Sequence, residues 1–347
     1  MTKRIAYIDY LKITAMLGVV MSHSLAATLS QNPLSWEWHL KNITLGLVSP
    51  AVGIFYLVSG ALILSSKHTD DIKYLWTHRL VKICVPFVIW SAISIAVLMN
   101  LDHSFTWTGL IRQMAEIYHK FPIVPYWFLY PLVGFYLISP MVKAFVDKAT
   151  PKVLDYIIGV WFVTNMLLPY IVSILPKKYG IYFTANPQYN LIFLGQAFGY
   201  FILGYRISKQ PINLKSQPVN IAATALLFLF VIVMNAENVA FHLNVPVIGF
   251  NSIFSLLLAT ELFVTVRTWA RNHIHTHKNQ QRLALFSTLS YGVYLTHGFV
   301  IQVIEQAFRI VNPFAVFGLT TVICLAFCYI VSKVPKVRFF LLGISWK

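Results

Sequence analysis

The chain of 347 residues combines 58% apolar residues with only 11% charged ones, and 15% of its residues are aromatic. So few charges cannot cover an ordinary soluble surface, which excludes a soluble globular protein and predicts an integral membrane protein. The formal net charge of +16 would suggest nucleic-acid binding in a soluble chain. Here the distribution of the charges indicates membrane topology instead, so no nucleic-acid partner is expected.

Apolar runs predict an all-α polytopic fold with about ten transmembrane helices. A spanning helix needs about 20 consecutive, mainly apolar residues. The runs that meet this length lie at 5–28, 43–66, 82–101, 127–147, 153–172, 189–207, 218–236, 245–269, 284–308 and 312–333. The connections between them are too short to hold a soluble domain, so residues 1–347 are expected to form a single membrane domain.

The basic residues alternate between the connections and predict the orientation of the spans. Alternate connections, counted from the N-terminus, hold 20 Lys and Arg residues on one side and 6 on the other, with Lys12 left inside the first span. Because cytoplasmic loops are enriched in Lys and Arg, both termini are predicted to be cytoplasmic. The loops around 67–79, 143–152, 206–215 and 267–282 lie on the same predicted side.

The first predicted span carries three ionisable residues, Asp9, Lys12 and His23. Such groups are costly in a bilayer and are functional candidates by default. At about 100° per residue, Lys12 and His23 share one helix face about 16 Å apart, with Asp9 within about 60° of both. Histidine can exchange a proton near neutral pH. Two structural interpretations stay open: a histidine hydrogen-bonded between helices, and an Asp9–Lys12 pair that neutralises itself.

The cysteines and the loop histidines do not predict a metal site. All three cysteines lie in predicted spans and lack the spacing of a zinc site or a disulfide framework. His273, His275 and His277 alternate in a predicted cytoplasmic loop rich in Arg, Lys and Gln. A solvated loop is the favoured interpretation of this segment, and no metal is expected.

The sequence IDYLKITAMLGVVMSHS, residues 8–24, resembles the first helix of the acyltransferase-3 family, whose members are multi-span membrane O-acyltransferases of surface glycans. The family's hallmark is an arginine followed, after ten residues, by a histidine. The matching positions here are Lys12 and His23. Lysine keeps the positive charge but lacks the planar guanidinium fork, so a bidentate contact at this position is not carried over.

Further segments resemble family motifs in the same order along nearly the whole chain. They are FYLVSG with Ser59, RLVKICVPFVIW with Arg79 and Lys82, YWFLYPLVGFYLISP with Trp127 and Tyr130, FGYFILGY, and STLSYGVYLTHGFV with His297. The second basic position of RLVKICVPFVIW, Lys82, is again a lysine where the family usually has arginine. The compact form of the family, without an extracellular domain, is the nearest likeness.

The resemblance implies a multi-pass protein of the bacterial inner membrane that uses a cytoplasmic acyl-coenzyme A, most often acetyl-coenzyme A, as donor substrate. Arg79 and Lys82 would bind the phosphates of the donor, with Ser59 in the same donor site. Positive-inside topology alone also predicts basic residues there. No permanently bound cofactor is expected.

The implied acceptor is a hydroxyl of a cell-surface or lipid-linked carbohydrate. His23 would act as general base, or as the carrier of a transient acyl group, while Lys12 and Asp9 set the local field. Trp127, Tyr130 and His297 are candidates for the acceptor site. For Trp127, an aromatic belt at the membrane surface is the favoured alternative interpretation.

Two other functions remain open at the level of sequence. Ionisable residues inside spans also mark transport pathways, so an exporter of a glycan or lipid-linked substrate is the main alternative. The sequence contains neither paired broken helices nor an evident duplicated half, which disfavours it. A scaffold that binds coenzyme A without turnover is the third alternative, suggested by lysine at both usual arginine positions.

Overall fold

The computed structural model describes residues 5–26, 35–182, 184, 195–243, 245–273 and 276–345. Regular structure in these residues is helical, without a strand, which confirms the all-α prediction. The helices are α1 Ala6–Ala26, α2 Trp36–Val48, α3 Ala51–Ile63, α4 Ile72–Leu101, α5 Trp107–Glu116, α6 Val124–Val146, α7 Pro151–Ile174, α8 Gln196–Lys209, α9 Leu214–Ala240, α10 Ile253–Asn272, α11 His277–Ala307, α12 Pro313–Ser332 and α13 Pro335–Leu342, with a single further turn at Lys177–Gly180.

Eight segments of the described chain are long and apolar enough to cross a bilayer. They are α2 and α3 taken together, α4, α6, α7, α9, α10, α11 and α12, and each overlaps one predicted span. The two other predicted spans overlap α1 and α8. Helix α1 is long enough, but its polar residues lower its mean hydropathy. Helix α8 begins at Gln196, while residues 189–194 of that predicted span lie outside the described residues.

The prediction for the span at 245–269 is wrong at its start, because the helix begins only at Ile253. Gly249 has φ +108, a backbone conformation that does not continue a helix. Ser252 then caps the helix, since its hydroxyl accepts a hydrogen bond from the Phe254 amide at 3.2 Å. The apolar run therefore continues across a turn that hydropathy alone does not reveal.

Contacts divide the chain into two compact units. Unit A comprises residues 1–18, 29–70 and 139–283, and unit B comprises residues 19–28, 71–138 and 284–347. Helix α1 therefore contributes Asp9 and Lys12 to unit A and His23 to unit B.

Helices α3 and α8 are in close contact in unit A. A Cβ atom on Gly60 would lie 1.7 Å from the Phe201 carbonyl oxygen, and one on Gly204 would lie 1.9 Å from the Leu57 carbonyl oxygen. The two backbones therefore touch, as they do in membrane helix pairs joined through small residues. Glycine is required here for close approach of the two helices.

In unit B, α4 and α11 run in the same direction. The Tyr291 hydroxyl donates to the Ile83 carbonyl at 2.8 Å, and further along both helices the Trp90 ring stacks on Phe299 with centroids 5.4 Å apart. Two parallel spans must be separated by an odd number of crossings. Four candidate spans lie between them, namely α6, α7, α9 and α10. An odd number is reached when α8 also crosses, so the predicted sixth span stays a prediction.

Candidate functional site

Two histidine rings are neighbours in unit B. The ring centroids of His23, near the end of α1, and His297, in the middle of α11, lie 5.4 Å apart with an interplanar angle of 46°. His297 is fully buried, at 0% exposure, whereas His23 is half-buried. The structure thus brings together two residues that the sequence analysis assigned to separate motifs.

The backbone fixes the tautomer of His297. Its Nδ1 atom lies 2.6 Å from the Tyr294 carbonyl oxygen, and a carbonyl can only accept, so Nδ1 carries the proton. The Nε2 atom then bears the lone pair. Among the described residues, this buried Nε2 atom has no hydrogen-bond partner. Buried polar atoms are nearly always paired, so Nε2 is a position where a donor from a ligand or a moving side chain is expected.

The separation of the two rings suits a hydrogen bond between them. An imidazole nitrogen lies about 1.2 Å from its ring centroid, so an N–H···N bond of about 3 Å requires centroids roughly 5.4 Å apart. The observed centroid distance is 5.4 Å. The centroid distance therefore equals the one that an N–H···N bond between the two rings requires.

The first turn of α6 holds this part of α11 in place. The Tyr294 hydroxyl donates to the Pro125 carbonyl, and the Tyr126 hydroxyl donates to the Leu295 carbonyl at 2.7 Å. A Cβ atom on Gly298 would lie 2.7 Å from Pro125 Cγ, so the turn packs directly against the helix beside His297. Sequence reasoning missed Pro125 and Tyr126, although a tyrosine buried in a span must find a partner for its hydroxyl.

The two aromatic candidates of the acceptor site lie on α6. Trp127 is half-buried in the first turn, with its ring centroid 6.4 Å from that of Phe128. The Tyr130 hydroxyl donates to the Ile117 carbonyl and lies 3.4 Å from the Lys120 carbonyl. Tyr130 therefore ties the segment that follows α5 to α6. Contact of either residue with a substrate stays a prediction.

The basic pair of the predicted donor site lies at the beginning of α4. Arg79 belongs to a π-helical stretch, Leu75–Leu80, and its guanidinium carbon lies 5.8 Å from the Tyr74 ring centroid. Lys82 follows at the start of the regular helix, and both basic side chains are half-buried. Short π-helical stretches within helices are frequent at functional sites.

The end of α13 approaches the backbone of Lys82 closely. Pro86 lacks an N–H and leaves the Lys82 carbonyl without its usual helical donor. Gly343, with φ +65, passes so near that a Cβ atom there would lie 2.2 Å from this carbonyl oxygen. The Trp90 indole N–H also donates to the Leu341 carbonyl at 2.8 Å. These contacts fix the backbone from which Lys82 projects.

The basic pair and the histidines lie at different levels of unit B. Because the Tyr291 hydroxyl donates to the Ile83 carbonyl, Tyr291 of α11 and Ile83 of α4 lie at about the same height along these parallel helices. His297 lies six residues beyond Tyr291, and Arg79 lies four residues before Ile83 in the opposite direction. At 1.5 Å per residue, the levels of Arg79 and His297 differ by about 15 Å along the parallel helices.

The remaining predicted site residues belong to unit A. Asp9 is buried at 6% exposure, and Lys12 is half-buried. Both lie on helix α1, which runs from Ala6 to Ala26. The Ser59 hydroxyl donates to the Phe55 carbonyl at 2.8 Å within α3.

In the described part of the chain, His, Cys, Asp and Glu side chains form no group of three that could hold a metal ion. Of the three alternating loop histidines, His275 lies outside the described residues.

The fold and the site define a polytopic α-helical membrane protein with two neighbouring histidines. A family model described as an acyltransferase domain matches residues 5–333, nearly the whole chain. The chain belongs to the acyltransferase-3 family, and it is a membrane acyltransferase. This confirms the resemblance found in the sequence motifs. Comparison with curated proteins and with solved structures found no match.

Proposed function

We propose that the protein is an O-acetyltransferase of the bacterial inner membrane. It transfers an acetyl group from cytoplasmic acetyl-coenzyme A to a hydroxyl of a cell-surface or lipid-linked carbohydrate. The observation that supports this chemistry best is the neighbouring pair of imidazoles, one with a fixed tautomer and an unpaired buried nitrogen. Acyl transfer to a hydroxyl needs a base of this kind.

In the proposed reaction, a ring nitrogen of His23 takes the proton of the acceptor hydroxyl. The hydroxyl oxygen then forms a bond with the carbonyl carbon of the thioester. The resulting tetrahedral intermediate breaks its C–S bond, and the departing sulfur receives the proton from the His23 imidazolium. The products are the acetyl ester and free coenzyme A, and His23 returns to its neutral form.

His297 is the proposed positioning residue for His23. Its Nε2 atom would accept a hydrogen bond from one N–H of His23, which leaves the other His23 nitrogen with a lone pair for the acceptor hydroxyl. The centroid distance of 5.4 Å supports this arrangement. In other enzymes with this chemistry, a third group likewise orients the catalytic base through a hydrogen bond.

Arg79 and Lys82 are proposed to bind the donor's phosphates, and Ser59 is retained as a further donor-site candidate. The difference of about 15 Å between the levels of Arg79 and His297 suits a donor whose nucleotide and thioester are joined by a long, thin arm. Lys12 is proposed to stabilise negative charge of the donor or, together with Asp9, to set the local electrostatic field. Trp127 and Tyr130 remain the proposed acceptor contacts.

Purified protein in proteoliposomes, supplied with radiolabelled acetyl-coenzyme A and a panel of carbohydrate acceptors, tests the proposal. We expect labelled acceptor with the unmodified chain and none with His23→Ala. His119→Ala, which changes an exposed histidine, is the matched control and should retain activity. Acetyl transfer by His23→Ala at the normal rate would contradict the assigned base. Glycan transport without an acetyl donor would favour the exporter instead.

A further inference from the structure

Helix α5 carries large apolar side chains on a face that no other described part of the protein covers. Trp107 is 72% exposed, Ile111 is 67% exposed, and Tyr118, just beyond the helix, is 89% exposed. At about 100° per residue, Trp107 and Ile111 lie within about 40° of each other on the helix surface. Trp107 and Ile111 form an apolar stripe on α5, and the exposed Tyr118 in the turn that follows the helix is counted with them.

A second sector of the helix faces unit B. A Cβ atom on Gly109 would lie 2.8 Å from Met99 Cε of α4, and the Ile117 carbonyl receives the Tyr130 hydroxyl of α6. Leu110 is half-buried on this side. The helix is thus fixed to the protein through a different sector from the one that carries the stripe.

The third sector is polar and charged. Arg112 pairs with Glu116 at 3.5 Å, and Lys120 approaches the same carboxylate at 3.8 Å. The helix surface therefore divides into protein-facing, apolar and charged sectors. This division is typical of a helix that lies along the membrane surface beside a helical bundle, with lipid on one side and water on another.

The connections at both ends keep α5 near the membrane boundary. Helix α4 ends at Leu101 and α6 begins at Val124, and both are candidate spans. Only residues 102–106 precede α5, and only residues 117–123 follow it. An extended residue spans at most about 3.6 Å, so neither connection can carry the helix far from the ends of these two spans.

We propose that α5 binds the interfacial layer of the phospholipid bilayer, with the stripe of Trp107, Ile111 and Tyr118 inserted at the boundary between headgroups and acyl chains. Arg112 and Glu116 face water. The Tyr130 hydrogen bond links the end of this helix to α6, whose first turn packs beside His297. Lipid contact would therefore stabilise the first turn of α6, which lies beside His297. The proposal does not depend on the proposed acetyl transfer.

Depth-dependent fluorescence quenching tests this placement. Two single variants, Ile111→Cys on the stripe and Arg112→Cys on the charged sector, are labelled with a polarity-sensitive maleimide dye. Both positions are exposed, so neither change disturbs a packed core. The unmodified chain, labelled identically, gives the background from its native cysteines. Each protein is reconstituted in vesicles of phosphatidylethanolamine and phosphatidylglycerol.

We expect the dye at position 111 to show blue-shifted emission and to be quenched several-fold more strongly by lipid carrying a nitroxide near the headgroup than the dye at position 112. Aqueous iodide should give the opposite order. Equal iodide quenching at both positions would overturn the proposal. Protection of position 111 from both quenchers would also overturn it, since the stripe would then be covered by protein, from a second copy or another partner.

Discussion

Replacement of His297 by phenylalanine or glutamine tests the positioning role most directly. Phenylalanine fills a similar volume but offers no acceptor at the place of Nε2, whereas the glutamine amide oxygen can occupy that place. A hydrogen bond to a charged group contributes about 1.5–3 kcal/mol, which corresponds to a roughly 10- to 150-fold change in rate. We therefore expect His297→Phe to lower kcat by about that factor, with His297→Gln recovering much of it.

The assay is steady-state acetyl transfer in proteoliposomes, with kcat and the KM for acetyl-coenzyme A measured separately. The donor is proposed to bind at the level of Arg79, about 15 Å from His297 along the helices, so its KM should stay nearly unchanged. A purely structural role would lower the amount of folded protein in both variants. If His297→Phe retains full kcat, or if glutamine is as poor as phenylalanine, the reasoning about His297 is refuted.

Three further predictions concern other parts of the molecule. Lys12→Arg should retain or improve activity and Lys12→Ala should be severely impaired; equal activity of all three proteins would remove Lys12 from the site. Arg79→Ala should raise the KM for acetyl-coenzyme A by about tenfold or more through loss of a charge-assisted phosphate contact, while the exposed Lys73→Ala should not. Gly204→Ala should lower the free energy of unfolding by about 1–3 kcal/mol, because the added Cβ atom would meet backbone, whereas Gly159→Ala should not, because the space around Gly159 is open. Thermal unfolding in detergent measures both variants, and equal melting temperatures would contradict the packing argument.

Much of the fold could be predicted because each spanning helix requires a long run of apolar residues, which is easy to find in the sequence. Every candidate span overlaps an apolar run, and misplacement arises where a run crosses a turn, as before Ile253. Helix α5 was missed for a different reason. Its ten residues are amphipathic, and a search for long apolar stretches cannot detect a helix that lies along the membrane surface. The π-helical stretch around Arg79 likewise has no recognisable sequence pattern here.

The sequence could predict which residues belong to the candidate site, but not how they lie relative to one another. His23 and His297 were each singled out by a motif, and ionisable groups inside spans are rare enough to stand out. Their proximity depends on how helices far apart in sequence pack, which periodicity cannot give. The same holds for Pro125 and Tyr126, whose contacts with α11 arise only in the folded chain.

The polar groups around His297 explain why its Nε2 atom is left for a donor from elsewhere. The Tyr294 hydroxyl is committed to the Pro125 carbonyl, and the Tyr126 hydroxyl donates to the Leu295 carbonyl and also lies 3.3 Å from the Ser94 hydroxyl. The Nδ1 proton is committed to the Tyr294 carbonyl. The two tyrosine hydroxyls and the Nδ1 proton are therefore already hydrogen-bonded. An unpaired acceptor maintained by satisfied neighbours, 5.4 Å from a second imidazole ring, is suited to accept a hydrogen bond from His23 or a bound hydroxyl.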